Sequence, residues 1–185
     1  MARGGVHGAK HLYCQIDLAT DDMDCIPISS QNDKQTTAAM RHMLGDHPRR
    51  NYYSDNAKPL QNGAKACNMV AECALVGISE TNGIAESNNK TILTGARRLL
   101  CHAGLPACWW PYAAPCYCSL RNIMLDINNE SSYYEKHGMH FPGKAIPFGC
   151  LVYFVPAPTK DQRDKTAPRM RPGISMGYRL PPGGL

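Results

Sequence analysis

Two acidic residues stand where a folded chain could use them as metal ligands. Asp55 follows the short strand-like segment Arg50-Asn-Tyr-Tyr-Ser54, and Glu86 lies in the first turn of a long helical pattern, inside Thr81-Asn-Gly-Ile-Ala-Glu86. A carboxylate at a strand end and another on a facing helix can hold divalent cations through hard oxygen donors. Two such ions activate an attacking hydroxyl and stabilise a leaving oxygen in phosphoryl transfer. The plainer reading gives Asp55 to a turn and Glu86 to the helix dipole.

Other groups invite chemistry less strongly. Nine cysteines are present, an odd number, and no Cys-x-x-Cys pair occurs. Cys116 and Cys118 are too close in sequence for the usual zinc spacing, so the thiols read as reduced, buried residues of an intracellular protein. His137 and His140 read as part of a loop. Trp109 and Trp110 read as core packing.

The elements that must position these residues follow from periodicity and punctuation. His11 to Asp17 and Cys25 to Ser29 read as an antiparallel hairpin around the polar turn Thr20 to Asp24, with Pro27 favouring an edge strand. Asn32-Asp33 can cap a helix to Leu44, with Gly45 as its stop. Arg50 to Ser54 reads as a strand, Gln61 to Ala74 as a helix and Leu75 to Ile78 as a short fifth element. The clearest helix runs from Gly83 to Ala103, where Ile84, Ile92, Ala96, Leu99 and Leu100 recur at helical spacing. Another opens at Cys108 and runs to Leu120. Past Met124 the character changes. A polar linker precedes short apolar runs at Ile146 to Val155 and Gly173 to Leu180, divided by Gly and Pro, which read as a small β-module without further helix.

Composition sets outer bounds. The 185 residues, 43% hydrophobic, suit one domain or a domain with a small appendage. No apolar stretch approaches a membrane span, and the N-terminus lacks the apolar run of a secretory signal. Residues 1–85 carry 8 Lys/Arg against 9 Asp/Glu, whereas residues 86–185 carry 12 against 6. The basic half is where a polyanion would sit.

The wording around the two acids adds a resemblance. Tyr53-Ser-Asp-Asn56 followed by Thr81-Asn-Gly-Ile-Ala-Glu86 resembles the integrase catalytic core of Ty1/copia-type LTR retrotransposons. Glu86-Ser-Asn-Asn-Lys90 also resembles a run found in retroviral integrases. The likeness continues through Ala96-Arg-Arg-Leu-Leu100, Ala103-Gly-Leu-Pro106, Trp109-Trp-Pro-Tyr-Ala-Ala114 and Leu120-Arg-Asn122. Pro147 to Tyr153 and Pro172 to Tyr178 resemble the SH3-like module that follows the copia-type core. The motifs stand in the family's order along nearly the whole chain.

The resemblance implies an α/β, RNase H-like fold: a five-stranded mixed sheet with flanking helices. It implies a core over 1–126, and a linker with an SH3-like β-module over 127–185. It implies DNA integration by strand transfer with Mg²⁺ or Mn²⁺, DNA as partner, a homo-oligomer, and a nuclear location by family role. Asp55 matches the second catalytic carboxylate and Glu86 the third, with thirty residues between them. The first has no match upstream of Ile16-Asp-Leu-Ala-Thr20, a run that resembles the family's second strand. The preferred reading is a core truncated before its first strand; in the rival reading Asp17 is itself the first carboxylate. The loop before Asn82 also departs from the family pattern. Asn89, Lys90, Arg97, Lys160, Arg163 and Lys165 are the candidate DNA contacts, although Lys90 could instead pair with Glu86. A non-catalytic remnant with weak nucleic-acid affinity, and an unrelated α/β scaffold, are the competing readings.

Overall fold

The computed structural model describes residues 4–45, 51–73, 83–157 and 168–178. Strands β1 (His11–Asp17) and β2 (Asp22–Ile28) form the expected hairpin, pairing antiparallel from His11 opposite Ile28 to Asp17 opposite Asp22. Helix α1 (Asp33–Leu44) follows. The Asn32 side chain accepts the Gln35 N–H at 2.9 Å, and Gly45 ends the helix at φ 56°. Both are the residues whose types announce a cap and a stop.

Strand β3 (Asn51–Ser54), helix α2 (Lys58–Ala66) and strand β4 (Val70–Cys73) make a β-α-β unit in which β3 and β4 run parallel. The helix expected over 61–74 is therefore half helix and half strand. Asn68, at φ 56°, breaks it, because a left-handed residue cannot continue an α-helix. The segment 75–78 lies outside the described residues.

Helices α3 (Gly83–Ala103) and α4 (Trp110–Ile123) come next, then the short α5 (Ser132–His137), and finally the hairpin β5 (Leu151–Phe154) with β6 (Arg171–Ile174). The reading of the C-terminal part as free of helix misses α5. Ser131 caps it by accepting the Tyr134 N–H at 3.1 Å, and Gly138 stops it in the left-handed region at φ 70°.

The β1–β2 hairpin lies between two helical layers. Leu12, Cys14, Ile16, Met23 and Cys25 pack with Ile92, Ala96 and Leu100 of α3 and with Ala113, Ala114, Cys116 and Cys118 of α4. Tyr13, Ile26 and Ile28 face the other way, onto Ala39 and Met40 of α1 and Ala64 of α2. The strict alternation along β1 divides the two cores. Cysteine serves here as a small apolar residue: Cys25 and Cys118 bring their sulfurs to 3.6 Å. Burial pushes the Cys25 thiol well up and Cys116 to about 11, which keeps both protonated. All nine cysteines are free, but Cys73 and Cys101 are exposed rather than buried.

Among the described residues the strands form three two-stranded sheets, not one five-stranded sheet. One antiparallel pair (β1–β2) and one parallel pair (β3–β4) share the α1/α2 layer, since Tyr52 of β3 packs into the same cluster as Tyr13 of β1. The C-terminal segment docks on α3 and α4. Phe148 is buried in their core, and Gly149, at φ 79°, lies so close to Ala103 that a Cβ would come within 2.3 Å of its methyl. Only glycine suits that approach and that backbone.

Candidate nucleic-acid interface

Asp55 follows β3 directly and is exposed. Its Oδ1 accepts the Ala57 N–H at 3.3 Å, and the Ser54 hydroxyl donates to its backbone carbonyl at 2.9 Å. This is the local geometry of an Asx turn leading into α2. Burial raises the pKa of the neighbouring Tyr52 phenol; the Asp55 charge adds to that rise, while the Tyr13 hydrogen bond opposes it.

Glu86 is exposed in the first turn of α3. Lys90 and Arg97, four and eleven residues on, fall on the same side at helical spacing and are exposed, as are Asn89 and Leu93. The opposite side of α3, at Asn88, Ile92, Gly95, Ala96 and Leu100, is buried. Glu86, Lys90 and Arg97 thus form an exposed stripe roughly 16 Å long at 1.5 Å per residue. Lys90 lies one helical turn past Glu86 on that stripe. Lys160, Arg163 and Lys165 lie outside the described residues.

Asp17 has a different setting. It ends β1 at the hairpin turn, half-buried, and its Oδ1 accepts the Ala19 N–H at 3.1 Å. Its cross-strand neighbour Asp22 belongs to a network with Lys136 of α5 at 2.5 Å and the Asn122 amide of α4 at 2.7 Å. Asp21 pairs with Arg121. The hairpin tip is thereby tied to the C-terminal end of α4. Among the described residues no three or more His, Cys, Asp or Glu side chains come together as a metal-holding group, so Asp17, Asp55 and Glu86 do not assemble into a triad. Asp55 and Glu86 are the right donors for a hard cation, but as a pair they are an incomplete set.

One buried polar group escaped the sequence reading. Asn88, 6% exposed on the core side of α3, has no hydrogen-bond partner for its Oδ1. Its position two residues past Glu86, in phase with Ile92, marks it as inward-facing.

Neither a protein-family model nor a curated protein matches the sequence. Solved structures do. The chain is similar to the HTLV-2 integrase catalytic core domain in complex with magnesium, in a trimeric form, at TM-score 0.53 and 13% identity over 68% of this chain and 84% of that one. It is similar to a chain of a simian T-cell lymphotropic virus intasome in complex with the PP2A regulatory subunit B56 gamma, at TM-score 0.57 and 12% identity, over 88% of this chain and 60% of that one. The BIV integrase catalytic core domain matches at TM-score 0.50 and 11% identity, over 66% of this chain and 82% of that one. The likeness is one of fold: this is a mixed α/β chain with an integrase-core-like arrangement of small sheets and helices. No helix of the described residues is long and apolar enough to cross a membrane.

Proposed function

We propose that the chain is a core-like part of a DNA-integrating machinery of the Ty1/copia retrotransposon type, with the integrase core over 1–126 and the linker and SH3-like module over 127–185. The observation that carries the reading is the exposed stripe of Glu86, Lys90 and Arg97 on α3, in a chain with the fold of retroviral integrase cores. The ordered motifs around Asp55 and Glu86 support it independently.

DNA is the substrate on this reading. Lys90, Arg97 and the basic segment holding Lys160, Arg163 and Lys165 hold phosphates, which positions a duplex without reading its sequence. Asp55 and Glu86 are the oxygen donors for Mg²⁺ or Mn²⁺, which when bound supplies Lewis-acid stabilisation of phosphoryl transfer. A complete site needs a further acid besides these two. The RNase H-like sheet gains support from the pairing pattern: one antiparallel and one parallel strand pair on a shared helical layer are what a five-stranded mixed sheet leaves when its central strand is taken out.

The failure of Asp17 to join Asp55 and Glu86 favours a second reading, a non-catalytic core that keeps nucleic-acid binding. Strand transfer on a labelled DNA end with Mg²⁺ or Mn²⁺ separates the two, comparing wild type with Asp55→Asn and Glu86→Gln. Metal-dependent activity lost in both variants establishes the enzyme. Salt-sensitive DNA binding without strand transfer establishes the second reading, and a well-folded chain that does neither removes both.

A further inference from the structure

Three sulfurs converge where β2 meets α4. Cys14 and Cys25 stand directly opposite each other in the β1–β2 pairing, on the side that faces α3 and α4. Cys25 lies within hydrogen-bonding reach of Cys14, and the Cys118 thiol donates to its sulfur at 3.6 Å. Asn122 sets this register. Its Oδ1 accepts the Met23 N–H at 3.1 Å, and its amide donates to the Met23 carbonyl at 2.8 Å. Cys118 lies one helical turn back from Asn122, about 6 Å. Cys25 lies two residues on from Met23, roughly 7 Å. The two advances nearly match, so the clamp carries Cys118 onto Cys25.

The three thiols differ in access. Cys25 and Cys118 are each 1% exposed, whereas Cys14 is half-buried. An oxidant dissolved in water therefore meets Cys14 first. Where only a small apolar side chain is needed, α4 places Ala113 and Ala114 in the same core; the row of touching sulfurs is a separate feature.

We infer that Cys14, Cys25 and Cys118 form a peroxide-responsive disulfide site, entered at Cys14 and closed as a Cys25–Cys118 bridge. Hydrogen peroxide takes two electrons from the Cys14 sulfur, which becomes a sulfenic acid as one water leaves. The Cys25 sulfur attacks the Cys14 sulfur; the S–O bond breaks, and the hydroxyl leaves as water with the Cys25 proton. The Cys118 sulfur then attacks Cys25, and Cys14 leaves as a thiol with the Cys118 proton. In sum, two thiols become one disulfide and peroxide becomes two waters. A Cys14–Cys25 bridge at the rim stays open to thiol reductants, while the buried Cys25–Cys118 bridge is shielded and persists. The inference is independent of the DNA-integration reading.

The test treats the full chain with hydrogen peroxide, then with reduced glutathione, and maps bridges by mass spectrometry without further reduction. Cys73→Ser/Cys101→Ser serves as the background, because those exposed thiols would oxidise on their own. The folded chain is expected to become lighter by two hydrogens, with Cys25 and Cys118 peptides joined. Its unfolding midpoint is expected to rise by roughly 10 °C, since the bridge closes a long loop, and to return with dithiothreitol. Cys14→Ala is expected to slow bridge formation at least about tenfold, by removing the accessible thiol. Cys118→Ala is expected to stop at a Cys14–Cys25 bridge that glutathione reopens. The inference is overturned by a folded chain that forms no Cys25–Cys118 bridge, by one whose bridge stays at Cys14–Cys25, or by Cys14→Ala oxidising at the background rate. Circular dichroism before oxidation establishes that each variant is folded.

Discussion

The phenolic oxygens of Tyr13 on β1 and Tyr52 on β3 lie 3.2 Å apart, and Tyr13 also donates to Gln15 Oε1 at 3.2 Å. This hydrogen bond links two strands that belong to different sheets, above the layer formed by α1 and α2. Burial raises the pKa of both phenols, so both stay protonated and able to donate. Tyr52→Phe should cost roughly 1 kcal/mol of stability, read as a lower urea midpoint with unchanged slope. A change in slope would mean that the two sheets come apart before the rest unfolds.

Asp24 supplies a pH signature. Burial pushes its carboxyl up to about 6, with Asp22 adding and the Cys25 N–H, Lys136 and His42 opposing. The folded-state value lies above the unfolded value of 3.8. Its contribution to stability is therefore fully present below about pH 4 and lost as pH rises through about 6. At pH 7 the buried charge costs roughly 3 kcal/mol. Asp24→Asn should raise stability at pH 7 and bring the variant level with wild type near pH 4. A wild-type advantage at pH 7 would contradict the assignment.

Asn88 carries a buried acceptor without a partner. Replacing it by Leu removes that desolvation cost in a helix whose neighbouring inward residue, Ile92, is fully buried. Asn88→Leu should raise the unfolding midpoint by the equivalent of roughly 1–2 kcal/mol. Destabilisation instead would show that the amide is held by a bond worth more than the burial gained.

Gly95 sets helix propensity against packing. In an open helix Gly→Ala gains about 1 kcal/mol. A Cβ here would come within 2.2 Å of the Tyr117 ring on α4. Overpacking of this kind costs roughly 1–3 kcal/mol, so Gly95→Ala should destabilise. Combined with Tyr117→Ala, the same methyl should turn favourable, and thermal melts of the four-member cycle give the coupling.

On the nucleic-acid side, Lys90→Ala and Arg97→Ala should each weaken DNA binding uniformly across sequences. Each should also flatten the logarithmic salt dependence by about one unit of slope. Fluorescence anisotropy on two unrelated duplexes at several salt concentrations measures both. Unchanged slopes would remove α3 from the interface.

What could be read directly from the residues was local. Asn32 and Gly45 bound α1, and the apolar spacing around Ile92 and Ala96 defines α3, because caps and helical periodicity act within a few residues. The same kind of signal lay unused at Asn68, which stops α2, and at Ser131 and Gly138, which bound α5. Glu86, Lys90 and Arg97 share a stripe by arithmetic alone, since one helix carries all three. Strand pairing, the tying of the Asp17 hairpin tip to the end of α4 and the orphaned Asn88 depend on residues far apart in sequence. Such contacts are chosen by which surfaces can be buried together, and only the tertiary structure decides them.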